Sequence, residues 1–155
     1  MAGKYVLDEA LVNSIVTSTM DAMPVLQKRL LGVAQIVREM HMPFSHMQIL
    51  VMLRNRPMSI GDLSRKLAIA KPNITPLVDE MCESGLVERV RDEQDRRVVK
   101  VSLLEAGYQK LDAIAACEAE RIRAWSENIS RSEIRELNRS LQSLLRILDM
   151  LPDEM

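Results

Sequence analysis

A mainly α-helical fold carrying one small β-hairpin is predicted by three observations. Apolar residues recur every three or four positions through most of the 155-residue chain, the mark of amphipathic helices. Aromatic residues are scarce, with 1 Trp, 2 Tyr and 1 Phe, which argues against an aromatic-rich β sandwich. Only 86–91 and 98–103 hold short β-branched, partly alternating runs, and the link Asp92–Arg97 between them contains no apolar residue.

Composition bounds the rest. With 47% hydrophobic and 28% charged residues the chain can bury a core and is not disordered. Its length suits one domain, or one domain with an oligomerisation element. The balance of 21 Lys+Arg against 22 Asp+Glu, net −1, excludes a generally polycationic protein. No apolar run approaches the ~20 residues of a membrane span. The opening MAGKYVLDEALV lacks the basic-then-apolar pattern of a signal peptide. Two cysteines make no disulfide framework, so a reducing, cytoplasmic location is expected.

Along the chain, Leu7, Leu11, Ile15, Leu26, Leu30, Val33, Val37 and Met40 describe one amphipathic segment, with a kink or break expected near Asp21–Pro24. Ser45 with Gln48 reads as a capping box and Phe44 with Ile49 as its hydrophobic staple, predicting a helix over 45–56. Ser59 with Asp62, stapled by Met58 and Leu63, predicts another over 59–67. A third runs from Lys71 or Pro72 to Ser84, closed by Gly85. Pro76 either sits in its first turn or, if the helix begins at Lys71, removes one bond and bends it. After the two strands, a long helix over 105–128 carries Leu111, Ile114, Ile122 and Trp125. Ser130 with Glu133 caps a last helix, whose Ile134, Leu137, Leu141, Leu144, Leu148 and Leu151 step by threes and fours. That narrow stripe fits the seam of two packed helices, either within the chain or between two copies.

Helix, helix, turn, helix and then a basic hairpin is the order of a winged helix-turn-helix, in which one helix enters the major groove of DNA and the wing reaches the adjacent backbone or minor groove. Residues 54–100 hold 10 Lys/Arg and 8 Asp/Glu, while the remainder holds 11 and 14. The cations cluster usefully: Arg65, Lys66 and Lys71 at the turn, and Arg89, Arg91, Arg96, Arg97 and Lys100 in the hairpin.

The run Ser59-Ile-Gly-Asp-Leu-Ser-Arg-Lys-Leu-Ala, then Lys71-Pro-Asn-Ile-Thr-Pro-Leu-Val-Asp-Glu-Met, then Gly85-Leu-Val-Glu-Arg resembles the DNA-binding module of MarR-type transcriptional regulators. Asp95-Arg96-Arg97 and Leu103-Leu104-Glu105-Ala106-Gly107 resemble that family's Asp-x-Arg wing and Leu-Thr-x-x-Gly helix start. The motifs span 45–107; the flanking helices match by architecture and position. Leu104 stands in place of the family's Thr, removing a hydroxyl cap, and Pro76 replaces a commonly polar or basic residue.

The resemblance implies a homodimeric regulator, most simply a repressor on a pseudo-palindromic operator. Its winged module spans 45–103, and its dimerisation regions span 1–41 and 104–155. The implied DNA-binding residues are Ser59, Arg65, Lys71, Pro72, Asn73, Thr75, Arg91, Asp95, Arg96 and Arg97. Asn73 can pair with adenine and Thr75 can touch a thymine methyl, although plain helix capping would also suit both. Ser59 and Arg65 suit phosphate. Arg97 is expected at the minor groove or backbone, oriented by Asp95, with Asp79 a further partner for it. The implied dimer interface takes Leu7, Leu11, Ile15, Ile134, Leu137, Leu141, Leu144, Leu148 and Leu151.

The resemblance also implies an effector pocket between dimerisation helices and module, for which Met20, Arg38, Met42, His46, Met47 and Trp125 are the candidates by position and chemistry, taking a small apolar or phenolic molecule; ordinary core is the alternative for each Met. His41 and His46 read as surface or capping histidines, and no metal or cofactor is expected. Cys82 and Cys117 read as small buried hydrophobes. The chain shows no phosphate loop, Gly-x-Ser-x-Gly, His-Glu-x-x-His or Cys-x-x-Cys, so an enzyme is not expected. The competing readings are a winged helix that binds protein and a cysteine-based redox regulator.

Overall fold

In the computed structural model, residues 7–92 and 95–152 are described; Glu93 and Gln94 of the predicted hairpin tip lie outside them. The helical spacing resolves into α1 (Glu9–Val25), a π turn (Leu26–Leu30), α2 (Val33–Met40), α3 (Phe44–Leu53), α4 (Ile60–Leu67), α5 (Lys71–Glu83), α6 (Glu105–Ala124), a 3-10 turn (Trp125–Glu127) and α7 (Arg131–Leu148). The strands are β1 (Met58–Ser59), β2 (Val87–Arg91) and β3 (Val99–Leu103). No helix among the described residues is long and apolar enough to cross a membrane.

At Pro24 the first segment is not broken. Rather than breaking near 21–24, α1 runs through Pro24 to Val25. The helix then widens into the π turn, where the Leu31 amide donates to the Leu26 carbonyl at 2.8 Å. The true break is Gly32, at φ 52, a left-handed backbone that glycine takes without a Cβ penalty. Proline removes one bond and is tolerated; the reversal of hand at Gly32 is what ends the helix.

The capping box expected at Ser45 is also absent. Pro43 is the N-cap of α3, extended at φ −58 and ψ 146, and its carbonyl accepts from the amides of His46 and Met47. A proline's fixed φ places the chain at the helix start two residues earlier, which leaves Ser45 inside the first turn. At Ser59 the expectation holds: its Oγ accepts from the Asp62 amide at 3.1 Å. Ser130 and Glu133 form a full capping box, with bonds of 2.7 Å and 3.3 Å. α6 starts at Leu104 with no side-chain cap, as the missing hydroxyl requires.

A third strand joins the two expected from sequence. The sheet order is β1-β3-β2, antiparallel throughout, with Met58 opposite Val101 and Ser59 opposite Lys100. β2 pairs with β3 from Val87–Leu103 to Arg91–Val99. The inward residues Val87, Val101 and Leu103 join the core of α3, α4 and α5, where Ile49, Leu50, Leu63, Ile74, Val78 and Met81 are fully buried. Gly107 lets α6 close on this core: a Cβ there would lie 2.3 Å from the Leu86 carbonyl oxygen.

α1 and α7 contribute no buried residue at all. Leu7, Leu11 and Ile15 are exposed on one, and Leu144, Leu145, Leu148 and Leu151 on or just beyond the other. The single chain presents 11912 Å² to solvent, whereas a compact monomer of its mass would present about 7,900 Å².

Candidate nucleic-acid interface

α4 and α5 are set against each other by a tight turn. Ala68 closes α4 at φ 52, and the Ser64 hydroxyl donates to the Ile69 carbonyl at 2.7 Å. α5 begins at Lys71, which resolves the question of Pro76 in favour of an early start. Pro76 lies inside the helix, one intrahelical bond is lost, and the first turn still forms over Ala70, whose carbonyl accepts from Asn73 and Ile74. The opposite face of α5, Ile74, Val78 and Met81, anchors it in the core.

The start of α5 therefore faces outward, with Lys71, Pro72 and Asn73 exposed and Thr75 half-buried. Asn73 is not a cap, because Ala70 is the capping residue and supplies no side chain for it. Thr75 Oγ1 donates back to the Lys71 carbonyl at 3.0 Å, which turns its methyl away from that bond. The Lys71 side chain passes over Gly61, where an added Cβ would meet its Cε at 3.3 Å.

Asp62 organises the α4 end of this surface. It accepts from the Ser59 hydroxyl at 2.7 Å and pairs with Arg65. The Ser59 hydroxyl, assisted by Arg65, holds the Asp62 carboxyl below the usual range. Ser59 and Arg65, both singled out for phosphate contact, thus share one carboxylate. In the sequence Asp62 reads only as a capping partner.

On the wing, the Arg97 side chain is 91% exposed. Asp95 holds it in a fork: Oδ1 accepts from Nε and Oδ2 from Nη2, each at 3.1 Å, and Oδ1 also accepts the Arg97 amide at 3.0 Å. Those bonds push the Asp95 carboxyl down and the guanidinium up. Arg91 and Arg96 are exposed as well, while Lys100 is drawn back onto Asp92. Asp79 does not reach Arg97; it pairs with Arg89 at 2.7 Å. The reason is geometric: Arg89 lies on β2, which packs beside α5. No sequence spacing distinguishes the two arginines.

The residues proposed for an effector pocket are not brought together within one chain. Met42, His46 and Met47 are buried in the core, Met20 and Arg38 are exposed, and Trp125 lines a groove with Val25, Leu26, Leu30, Ile129 and Leu137. His46 is neither a surface nor a capping residue. Its Nε2 lies 3.3 Å from Glu80 Oε2 on α5 but is misaligned for a hydrogen bond. Both thiols are half-buried. Burial pushes Cys82 up. The Cys117 thiol, bonded to Glu39 Oε2 at 2.9 Å, is pushed up to about 11, the reverse of what activates a thiolate.

Residues 33–98 match the model of the MarR family. An HTH-type transcriptional regulator of Bacillus subtilis, YsmB, is 38% identical over 87 residues, which is 56% of this chain and 60% of that protein. The transcriptional activatory protein BadR of Rhodopseudomonas palustris is 36% identical over 93 residues, 59% of this chain and 51% of that one. The matched stretches thus span about half to three-fifths of these relatives. Among solved structures, a MarR family protein from Bacillus stearothermophilus aligns with a TM-score of 0.73 at 26% identity, covering 93% of this chain and 99% of that one. RV1404 from Mycobacterium tuberculosis aligns with a TM-score of 0.75 over 97% and 100%, and at 18% identity it speaks for the fold alone.

Proposed function

We propose that this chain, of the MarR family through residues 33–98, is a DNA-binding transcriptional regulator that acts as a homodimer on a pseudo-palindromic operator. The single observation that carries the reading is the pairing of an outward-facing α5 start with a fork-held, solvent-exposed Arg97 on the same module. A helix of this kind reads base edges in the major groove, and an oriented guanidinium grips phosphate or the minor groove. Lys71 and Asn73 meet the groove first; Ser59, Arg65, Pro72, Thr75, Arg91 and Arg96 surround them.

One such module makes few contacts and binds weakly, with non-specific Kd values of roughly 10⁻⁴–10⁻⁶ M. Two modules centred ~34–36 Å apart add affinity and demand a symmetric site. The exposed apolar faces of α1 and α7 support a dimer through 1–41 and 104–155, built on the nine leucines and isoleucines named for it. Binding would occlude a promoter, and a small apolar or phenolic effector would release it by changing the separation of the two modules. The curated relatives are regulators rather than enzymes; one of them is named an activator, so a promoter-reporter assay decides the sign.

Selection of bound duplexes from a random pool tests the reading. A two-fold motif, bound with affinity that falls steeply with salt, is the expected result. No binding to any duplex at low salt would replace it with a protein-binding winged helix.

A further inference from the structure

We infer that Arg121 is a positioning residue that fixes the direction in which α1 departs from α2 and α6, and thereby the operator spacing the dimer accepts. The inference rests on the dimeric DNA-binding reading above, and begins from the ends of two helices. A helix terminus leaves its last carbonyls without amide donors. At the π turn these include the carbonyls of Arg29 and Leu30, and Gly32, which follows as N-cap of α2, offers no side chain.

Arg121, on α6, fills that gap from outside. Its Nη1 donates to the Arg29 carbonyl at 2.6 Å, and its Nη2 donates to the Leu30 carbonyl and to Glu118. The guanidinium stacks over the Trp125 ring, 5.4 Å from its centroid. The side chain is largely buried and presses on Gly32, where a Cβ would stand 2.7 Å from Nε. Only a planar fork can serve two carbonyls and a carboxylate while lying flat on an indole; a lysine cannot.

The lever that depends on this joint is long. α1 has no buried residue of its own, so its course relative to the core is set where it meets α2. Among the described residues, Arg121 makes every side-chain hydrogen bond that ties 26–32 to α6. If two copies meet through α1 and α7, the angle at this joint fixes the distance between their α5 helices.

The test compares full-length wild type with Arg121→Lys, Arg121→Ala and Gly32→Ala, the last pushing on the same contact from the opposite side. We expect all three to remain dimeric by light scattering. Amide exchange across 26–32 should quicken, and selection from a random pool should enrich a broader range of half-site spacings. Affinity for the wild-type operator should fall about fivefold, with the base preference within each half-site unchanged. Wild-type exchange at 26–32, or wild-type spacing with altered exchange, in Arg121→Lys overturns the inference. If wild type itself enriches no motif, the regulator reading fails instead, and the exchange measurement alone decides whether Arg121 holds the joint.

Discussion

The module of α3, α4, α5 and the sheet differs from the outer helices α1 and α7 in one respect that governs everything else. Nine side chains of the module, from Ile49 to Val101, are essentially fully buried within one chain, whereas α1 and α7 bury none. Yet α7 has the cleanest apolar stripe in the sequence. A periodic stripe records that a helix has a face to hide; whether its partner lies in the same chain is decided elsewhere. Here the module finds its partners locally, and the outer helices present theirs.

The contrast can be broken from either side. In the module, Leu50→Ala should lower the unfolding free energy by ~2–5 kcal/mol, because a fully buried leucine leaves both lost transfer energy and a cavity. Denaturant titration should show that loss unchanged across protein concentrations. Leu11→Ser with Leu148→Ser should act differently. Each exposed side chain removed from an interface forfeits about 1.5–3 kcal/mol of burial in each copy. The proposed dimer should dissociate in sedimentation while the module keeps its helical signal. Loss of the module's fold in that variant would show that α1 and α7 belong to its core after all.

Much of the fold was legible because its signals are local. Ser59 and Ser130 sit three residues before an acidic partner, and each forms the predicted cap. Gly85 ends α5 at φ 68, and β2 and β3 fall within one residue of the β-branched runs. What escaped notice depends on tertiary partners. β1 has two residues, too few for any alternation, and exists because β3 lies beside it. Asp79 chose Arg89 by proximity across two elements. His46 is buried on a helix whose neighbours cover nearly every side. At Pro43 two plausible starts lay within one turn, and the proline's fixed dihedral prevailed over the serine hydroxyl.

Within the candidate interface the expected effects are smaller and sharper. Asn73→Ala should cost ~1–3 kcal/mol on the selected operator and little on random duplex, since Asn73 is exposed and committed to no cap. Equal losses on both duplexes in a binding titration would assign it to backbone contact alone. Outside that interface, Ser130→Ala should destabilise α7 by about 1 kcal/mol, through loss of its bond to the Glu133 amide. Thermal unfolding at fixed protein concentration would register it.

The least effect concerns acid. The Arg97 side chain, and then its amide, hold Asp95 below the ordinary carboxylate range. That contribution is therefore complete above pH ~3.9 and is lost only as pH falls through the lower folded value. A carboxyl NMR titration should place the Asp95 midpoint below the usual aspartate value in wild type and return it upward in Arg97→Ala. Between pH 5 and 7 the wing fork should not change.

Ser59 belongs to two elements at once: it is the last residue of β1, opposite Lys100, and the hydroxyl that closes the start of α4. Sheet and helix are thus welded at a single amino acid. Bending the hairpin against a bound surface would tug on that weld, so strain on the ribbon is felt directly by the scaffold that carries α5. One inserted residue between Val99 and Val101 would force Ser59 to abandon either its strand or its helix.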